Sequence, residues 1–113
     1  MQQLTVAQIG TQLAQWRAEG RQPVLLDVRE PWEIATASLA LPDLPMLAIP
    51  MQETPARLAE LPREQPILAL CHHGMRSLQV AWFLSQQGYP YTYNIVGGID
   101  AWSAEVDPGV PRY

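Results

Sequence analysis

Behind a Thr5…Gln8 capping pattern, apolar residues recur at Val6, Ile9, Leu13 and Trp16, predicting a helix that Gly20 stops. The rhythm then changes. Val24-Leu25-Leu26-Asp27-Val28 is a short, partly β-branched run after a proline, as expected of a strand buried on both faces. Pro31 opens a short helix through Trp32, Glu33 and Ile34. Residues 38–50 hold three prolines and read as a loop around a short strand near Met46 to Ile49. Thr54 caps and Pro55 opens a helix that turns Leu58 and Leu61 inward, with Pro62 ending it. Residues 67–70 form another buried strand. Residues 77–87 are helix-compatible and apolar on most sides, with Gly88 as terminator. Residues 91–96 make the last strand, Gly97-Gly98 a turn, and residues 99–106 a short helix.

Strands alternating with helices predict an α/β domain: a mainly parallel central sheet with helices on both faces. No repeat, low-complexity tract or charge block divides the chain, so residues 1–113 read as one domain. A chain of that length hides roughly 65% of its extended surface on folding and needs no staple. With 48% apolar and 16% charged residues, it is no solvated disordered segment. All seven basic residues are arginines and the net charge is -4, which argues against a nucleic-acid partner. No run of membrane-spanning length and no leader-like start is present, so a cytoplasmic protein with no membrane partner is expected. The lone cysteine excludes an internal disulfide and suits a reducing compartment.

That cysteine carries the chemistry. In such sheets sites form beyond the carboxyl ends of strands, and Leu70-Cys71-His72-His73-Gly74-Met75-Arg76-Ser77 runs from a strand end through a tight loop into a helix start. Free amides of the loop and first helical turn point back at its centre, the helix dipole adds partial positive charge, and Arg76 adds a full one. Such surroundings favour a thiolate, the nucleophilic form of the side chain. Free cysteines are among the most buried residue types, but an inert core cysteine has no use for the two histidines, glycine, arginine and serine that follow. His72 and His73 are placed at the rim, Gly74 at a left-handed or close-approach position, and Met75 at an apolar lip. Ser77 is read as the helix cap. Adjacent histidines beside one cysteine are poorly spaced ligands, so no metal and no cofactor is expected. Asp27, Arg29 and Glu30 cluster at a strand end, either as a share of the site wall or, the commoner use of such groups, as an ion-paired network fixing the strand to the next helix. The four tryptophans (Trp16, Trp32, Trp82 and Trp102) are read as core or rim packing.

Cysteine, two variable residues, glycine, a variable residue, arginine and serine resemble the active-site loop of the rhodanese sulfurtransferase family. The segments Leu25-Leu26-Asp27-Val28-Arg29-Glu30-Pro31-Trp32-Glu33 and Asn94-Ile95-Val96-Gly97-Gly98-Ile99-Asp100-Ala101-Trp102 are similar to two further motifs of that family, in the same order. Ala37-Ser38-Leu39-Ala40-Leu41-Pro42 departs from it, standing where the family usually shows glycine, histidine, isoleucine and glycine-alanine. The resemblance implies a stand-alone rhodanese-like domain. It also implies sulfur transfer through a persulfide on Cys71, with His72, His73, Gly74, Met75, Arg76 and Ser77 lining the substrate position. The implied partners are a small anionic sulfur donor such as thiosulfate, a thiol or cyanide acceptor, and protein donors or acceptors of sulfur.

Three other readings compete. Cysteine phosphatases and arsenate reductases share the thiolate and arginine but resemble one another in having five intervening residues, whereas four lie between Cys71 and Arg76. The tighter loop has room for a single sulfur and little for phosphate. A docking module without catalysis has no need of the nucleophile. A persulfide relay fed by another protein, such as a cysteine desulfurase, needs the same cup and is not separated from thiosulfate use.

Overall fold

Apolar runs too short for helices and bounded by prolines form the middle of a sheet. In the computed structural model, which describes residues 1–113, five strands pair in parallel in the order β1-β5-β4-β2-β3. They are β1 (Gln2–Thr5), β2 (Val24–Asp27), β3 (Met46–Ala48), β4 (Ile67–Leu70) and β5 (Thr92–Val96). The four residues of β4 are all buried, as its unbroken apolar sequence demands. The helices are α1 (Ile9–Ala18), α2 (Pro31–Thr36), α3 (Met75–Gln86) and α4 (Gly98–Glu105).

The two-residue side-chain period splits the core in two. Leu25, Leu68, Leu70 and Ile95 meet Ile9, Leu13, Trp16, Ile99 and Trp102 from α1 and α4 on one face. On the other, Leu26 and Ile67 pack with Val80 and Leu84 of α3, Leu61 and Tyr89. Each fully buried aliphatic side chain stabilises the fold by roughly 1.5–3 kcal/mol. The expected α/β architecture is present, with every strand pair parallel.

Three local differences have physical reasons. β1 was not expected: only Leu4 of its four residues is buried, so no alternation marks it, and its place is fixed by pairing Gln3 opposite Asn94 on β5. The helix expected from Thr54 is instead a kinked 3-10 segment, Met51–Glu60, broken at Arg57. Pro55 lies inside it and offers no amide to an α-helical ladder, while Thr54 is buried and donates to the Pro50 carbonyl at 3.2 Å. α3 begins at Met75 behind Gly74, so Ser77 lies within its first turn and is not its cap.

The ends of β2, β4 and β5 lie at one edge, and of the ion-paired network expected there Asp27 and Arg29 pair while Glu30 stays outside it. Arg29 is wholly buried, with Nε and Nη2 donating to Asp27 at 2.9 and 2.7 Å and Nη2 to the Ala37 carbonyl at 2.8 Å. This fastens β2 to the far end of α2 and to the atypical loop that follows. Glu30 is exposed at the head of α2, where its amide donates to the Glu33 carboxylate at 2.9 Å. Trp16 and Trp102 are core residues, whereas Trp32 and Trp82 are 63% and 58% exposed.

Candidate functional site

β4 ends in the fully buried Leu70 and hands the chain to Cys71, itself 1% exposed. The chain turns at once. Gly74 takes φ +100°, as its expected left-handed role requires, and its amide donates to Cys71 Sγ at 3.0 Å. The Ser77 hydroxyl stands 3.3 Å from the same sulfur. Sγ therefore lies at the N-terminus of a twelve-residue helix, on the partially positive end of its dipole.

A second helix holds the loop from behind. The amides of Ile99 and Asp100, free at the start of α4, donate to the carbonyls of Cys71 and His72 at 2.9 and 3.1 Å. Those carbonyls are thereby turned away from the sulfur. Gly98 makes the approach possible: at φ +61°, a Cβ there would overlap both carbonyls. Gly97-Gly98, expected only as a turn, is thus part of the cup's wall.

Arg76 does not stand free. Both its terminal nitrogens reach Glu33 of α2 at 2.8 Å, a bidentate pair. Arg76 is about a third exposed (34%) and Glu33 only 5%. The guanidinium, helped by the Glu30 amide and Tyr113, holds the Glu33 carboxyl down at about 2, burial opposing it. Glu33 in turn raises the Arg76 guanidinium. The full positive charge expected at the loop is shared with a carboxylate that lies 43 residues away in the chain.

Tyr113 closes the arrangement. Its hydroxyl donates to Glu33 Oε1 at 2.9 Å and accepts from Arg29 Nη1 at 3.0 Å, while its ring stacks on His72 at 3.8 Å. Burial raises the phenol above its ordinary range, Arg29 opposing it. His72 is half-buried, and desolvation together with His73 lowers its imidazole, so it carries less positive charge near neutrality than a free histidine. His73 stacks on His72 at 3.9 Å, and Nε2 lies 3.9 Å from Asp100. Ligand atoms of His72, His73 and Asp100 fall within 4.8 Å of one another, but Arg112 occupies both Asp100 oxygens at 3.0 Å. A cation there would compete with Arg112 for the Asp100 carboxylate. Met75 is 68% exposed at the lip.

The structure brings Cys71, Gly74 and Ser77 together around the sulfur. It ties Arg76 to Glu33, stacks His72 between His73 and Tyr113, and leaves Met75 exposed. Sequence reading missed Asn94, a buried β5 residue. Its carboxamide contacts the Ser77 hydroxyl at 2.6 Å and the Gly74 carbonyl at 3.3 Å. An asparagine inside the expected β5 strand, where that residue type is depleted, was the available signal.

Comparison with known proteins gives a consistent picture. A family model described as the rhodanese-like domain matches residues 10–105. A sulfurtransferase of Allochromatium vinosum is 38% identical over 91 residues, 80% of this chain and 81% of that protein. A chloroplastic rhodanese-like/PpiC domain-containing protein of Arabidopsis thaliana is 44% identical over 91 residues; the match takes in 79% of this chain but only 30% of the plant protein. The crystal structure of a rhodanese-related protein from Thermoplasma volcanium superposes with a TM-score of 0.76 at 26% identity, covering 100% of both chains. No helix is long and apolar enough to cross a membrane.

Proposed function

Since the chain belongs to the rhodanese-like domain family, we propose that it transfers sulfane sulfur through a persulfide on Cys71. Relatives named sulfurtransferases support sulfur transfer in general. The observation that carries the finer reading is the position of Cys71 Sγ at the head of α3, 3.0 Å from the Gly74 amide and 3.3 Å from the Ser77 hydroxyl. Donors so placed hold an anionic sulfur without a general base.

In the first half-reaction the Cys71 thiolate attacks the outer sulfur of thiosulfate. A new S–S bond forms, the donor's S–S bond breaks, and sulfite leaves with its electron pair. In the second, a thiolate or cyanide attacks the terminal persulfide sulfur, takes it, and returns the electron pair to Cys71. Gly74 and Ser77 touch the sulfur, His72, His73 and Arg76 form the rim of the substrate position, and Met75 stands at its exposed lip. Arg76 acts there as half of an ion pair, so its pull on an anionic donor is weaker than that of a free guanidinium. A donor or acceptor on another protein uses the same cup.

Intact-mass spectrometry after thiosulfate treatment tests the reading. A gain of about 32 Da that cyanide removes is expected, as a covalent intermediate requires. The Cys71→Ser variant should show neither adduct nor turnover. Turnover in that variant, or phosphatase activity without sulfur transfer, would overturn the assignment.

A further inference from the structure

The hydroxyl of Ser77 meets two neighbours but owns one proton. Its oxygen lies 2.6 Å from Asn94 Oδ1 and 3.3 Å from Cys71 Sγ. The orientation of the Asn94 carboxamide is fixed by its other end, since Nδ2 faces the Gly74 carbonyl at 3.3 Å and Gln3 Oε1 at 2.9 Å. A backbone carbonyl only accepts, so the group facing it is the NH2 and the group facing Ser77 is the oxygen. Two oxygens 2.6 Å apart need a hydrogen between them, and Asn94 Oδ1 has none to give. The Ser77 proton therefore points at Asn94. Lone pairs of Ser77 Oγ face the sulfur.

From this proton inventory we infer that Asn94 is a positioning residue for the nucleophile, acting through Ser77: it keeps the hydroxyl proton away from Cys71 in the resting protein. The chain of donors then runs from the Cys71 S–H to Ser77 Oγ, and from the Ser77 O–H to Asn94 Oδ1. When the sulfur is anionic the hydroxyl turns toward it, and the Asn94 oxygen loses its donor. All three groups are buried, at 1%, 0% and 3% exposure for Cys71, Ser77 and Asn94, so water does not replace the lost partner. The Gly74 amide and the positive end of the α3 dipole face the sulfur, and Asn94 withholds the Ser77 hydroxyl from it. The cross-strand pair of Asn94 with Gln3 on β1 anchors this arrangement. The inference rests on the reading of Cys71 as the nucleophile, but its test addresses the thiol directly.

The experiment is the rate of Cys71 alkylation by iodoacetamide between pH 6 and 9, for wild type, Asn94→Leu, Ser77→Ala and the double variant. Asn94→Leu removes the competing acceptor and frees the hydroxyl for the sulfur. Alkylation should be about fivefold faster at pH 6 to 7, the equilibrium weight of one neutral hydrogen bond. The gain should shrink toward pH 9 and be absent in the Ser77→Ala background. Gln3→Leu, an exposed position on an edge strand, should shift the rate in the same direction by a smaller factor and serves if Asn94→Leu fails to fold. A rate unchanged or lowered, a gain that does not shrink toward pH 9, or one that survives loss of the Ser77 hydroxyl would each overturn the proposal. If the alkylation series behaves as stated but no thiosulfate adduct forms, the Asn94 role stands and the sulfur-transfer reading falls.

Discussion

Replacing Glu33 by glutamine removes one charge from the bidentate pair with Arg76 while keeping the side chain's size. In the folded protein this carboxyl titrates at about 2 against an ordinary 4.5. At about 1.36 kcal/mol per pH unit, that difference is about 3 kcal/mol of stability at neutral pH. Arg76 is a third exposed (34%), so solvent screens part of the attraction; the amide also keeps one hydrogen bond, and about 2 kcal/mol is the better figure. For a chain of this length that lowers the melting temperature by about 8 °C. The sign of the pH dependence follows from the depressed value. The stabilisation is complete above about 4.5 and is lost as the pH falls from there through about 2. Thermal melts of wild type and Glu33→Gln should therefore differ at pH 7, converge below pH 4, and nearly coincide at pH 2. The same change releases the Arg76 guanidinium, so the KM for thiosulfate should fall and become more sensitive to salt. A gap in melting temperature that stays constant from pH 7 to pH 3, or a rise in KM for thiosulfate, would refute the electrostatic account.

The other expectations follow from named contacts. Arg76→Ala leaves the Glu33 carboxylate buried beside Tyr113 without its partner. It should lower the melting temperature by about 8 °C as well as weakening donor use, and unchanged melting would mean that the pair stabilises nothing. Gly98→Ala drives a methyl into the carbonyls of Cys71 and His72. A loss of at least about 3 kcal/mol in urea melts and near-complete loss of the thiosulfate adduct are expected, and a stable, active variant would refute the close approach. Arg29→Met strands Asp27 in the core, so a loss of about 3–5 kcal/mol or failure to fold is expected, measured by denaturant titration. Tyr113→Phe removes bonds to Glu33 and Arg29 and should cost about 1–2 kcal/mol by thermal melt, with no effect on the maximum rate of sulfur transfer.

Features set by neighbours in sequence were legible. The buried runs 24–27 and 67–70 announce themselves because both faces of a central parallel strand are covered, and the loop from Cys71 to Arg76 is contiguous. Features set by pairing across the fold were not. Glu33 reaches Arg76 from 43 residues away, and Tyr113 reaches Glu33 from 80, with no local pattern to flag either. Asn94 is 17 residues from Ser77 and looked like one polar interruption in a strand. β1 has too little apolar content to declare itself and exists because β5 offers it an edge. Ser77 was misread because a serine at a helix start is most often a cap. Gly74 took that place, and the hydroxyl was left to face inward.

The grip of α4 on the backs of Cys71 and His72 orders events during synthesis. A nascent chain that ends before Gly98 contains the cysteine, the glycine turn and the arginine, yet lacks the amides that orient the first two peptide units. On the proposed reading, reactivity arrives only with the segment from Gly98 onward, and a product truncated before it carries the motif without the amides that shape the cup.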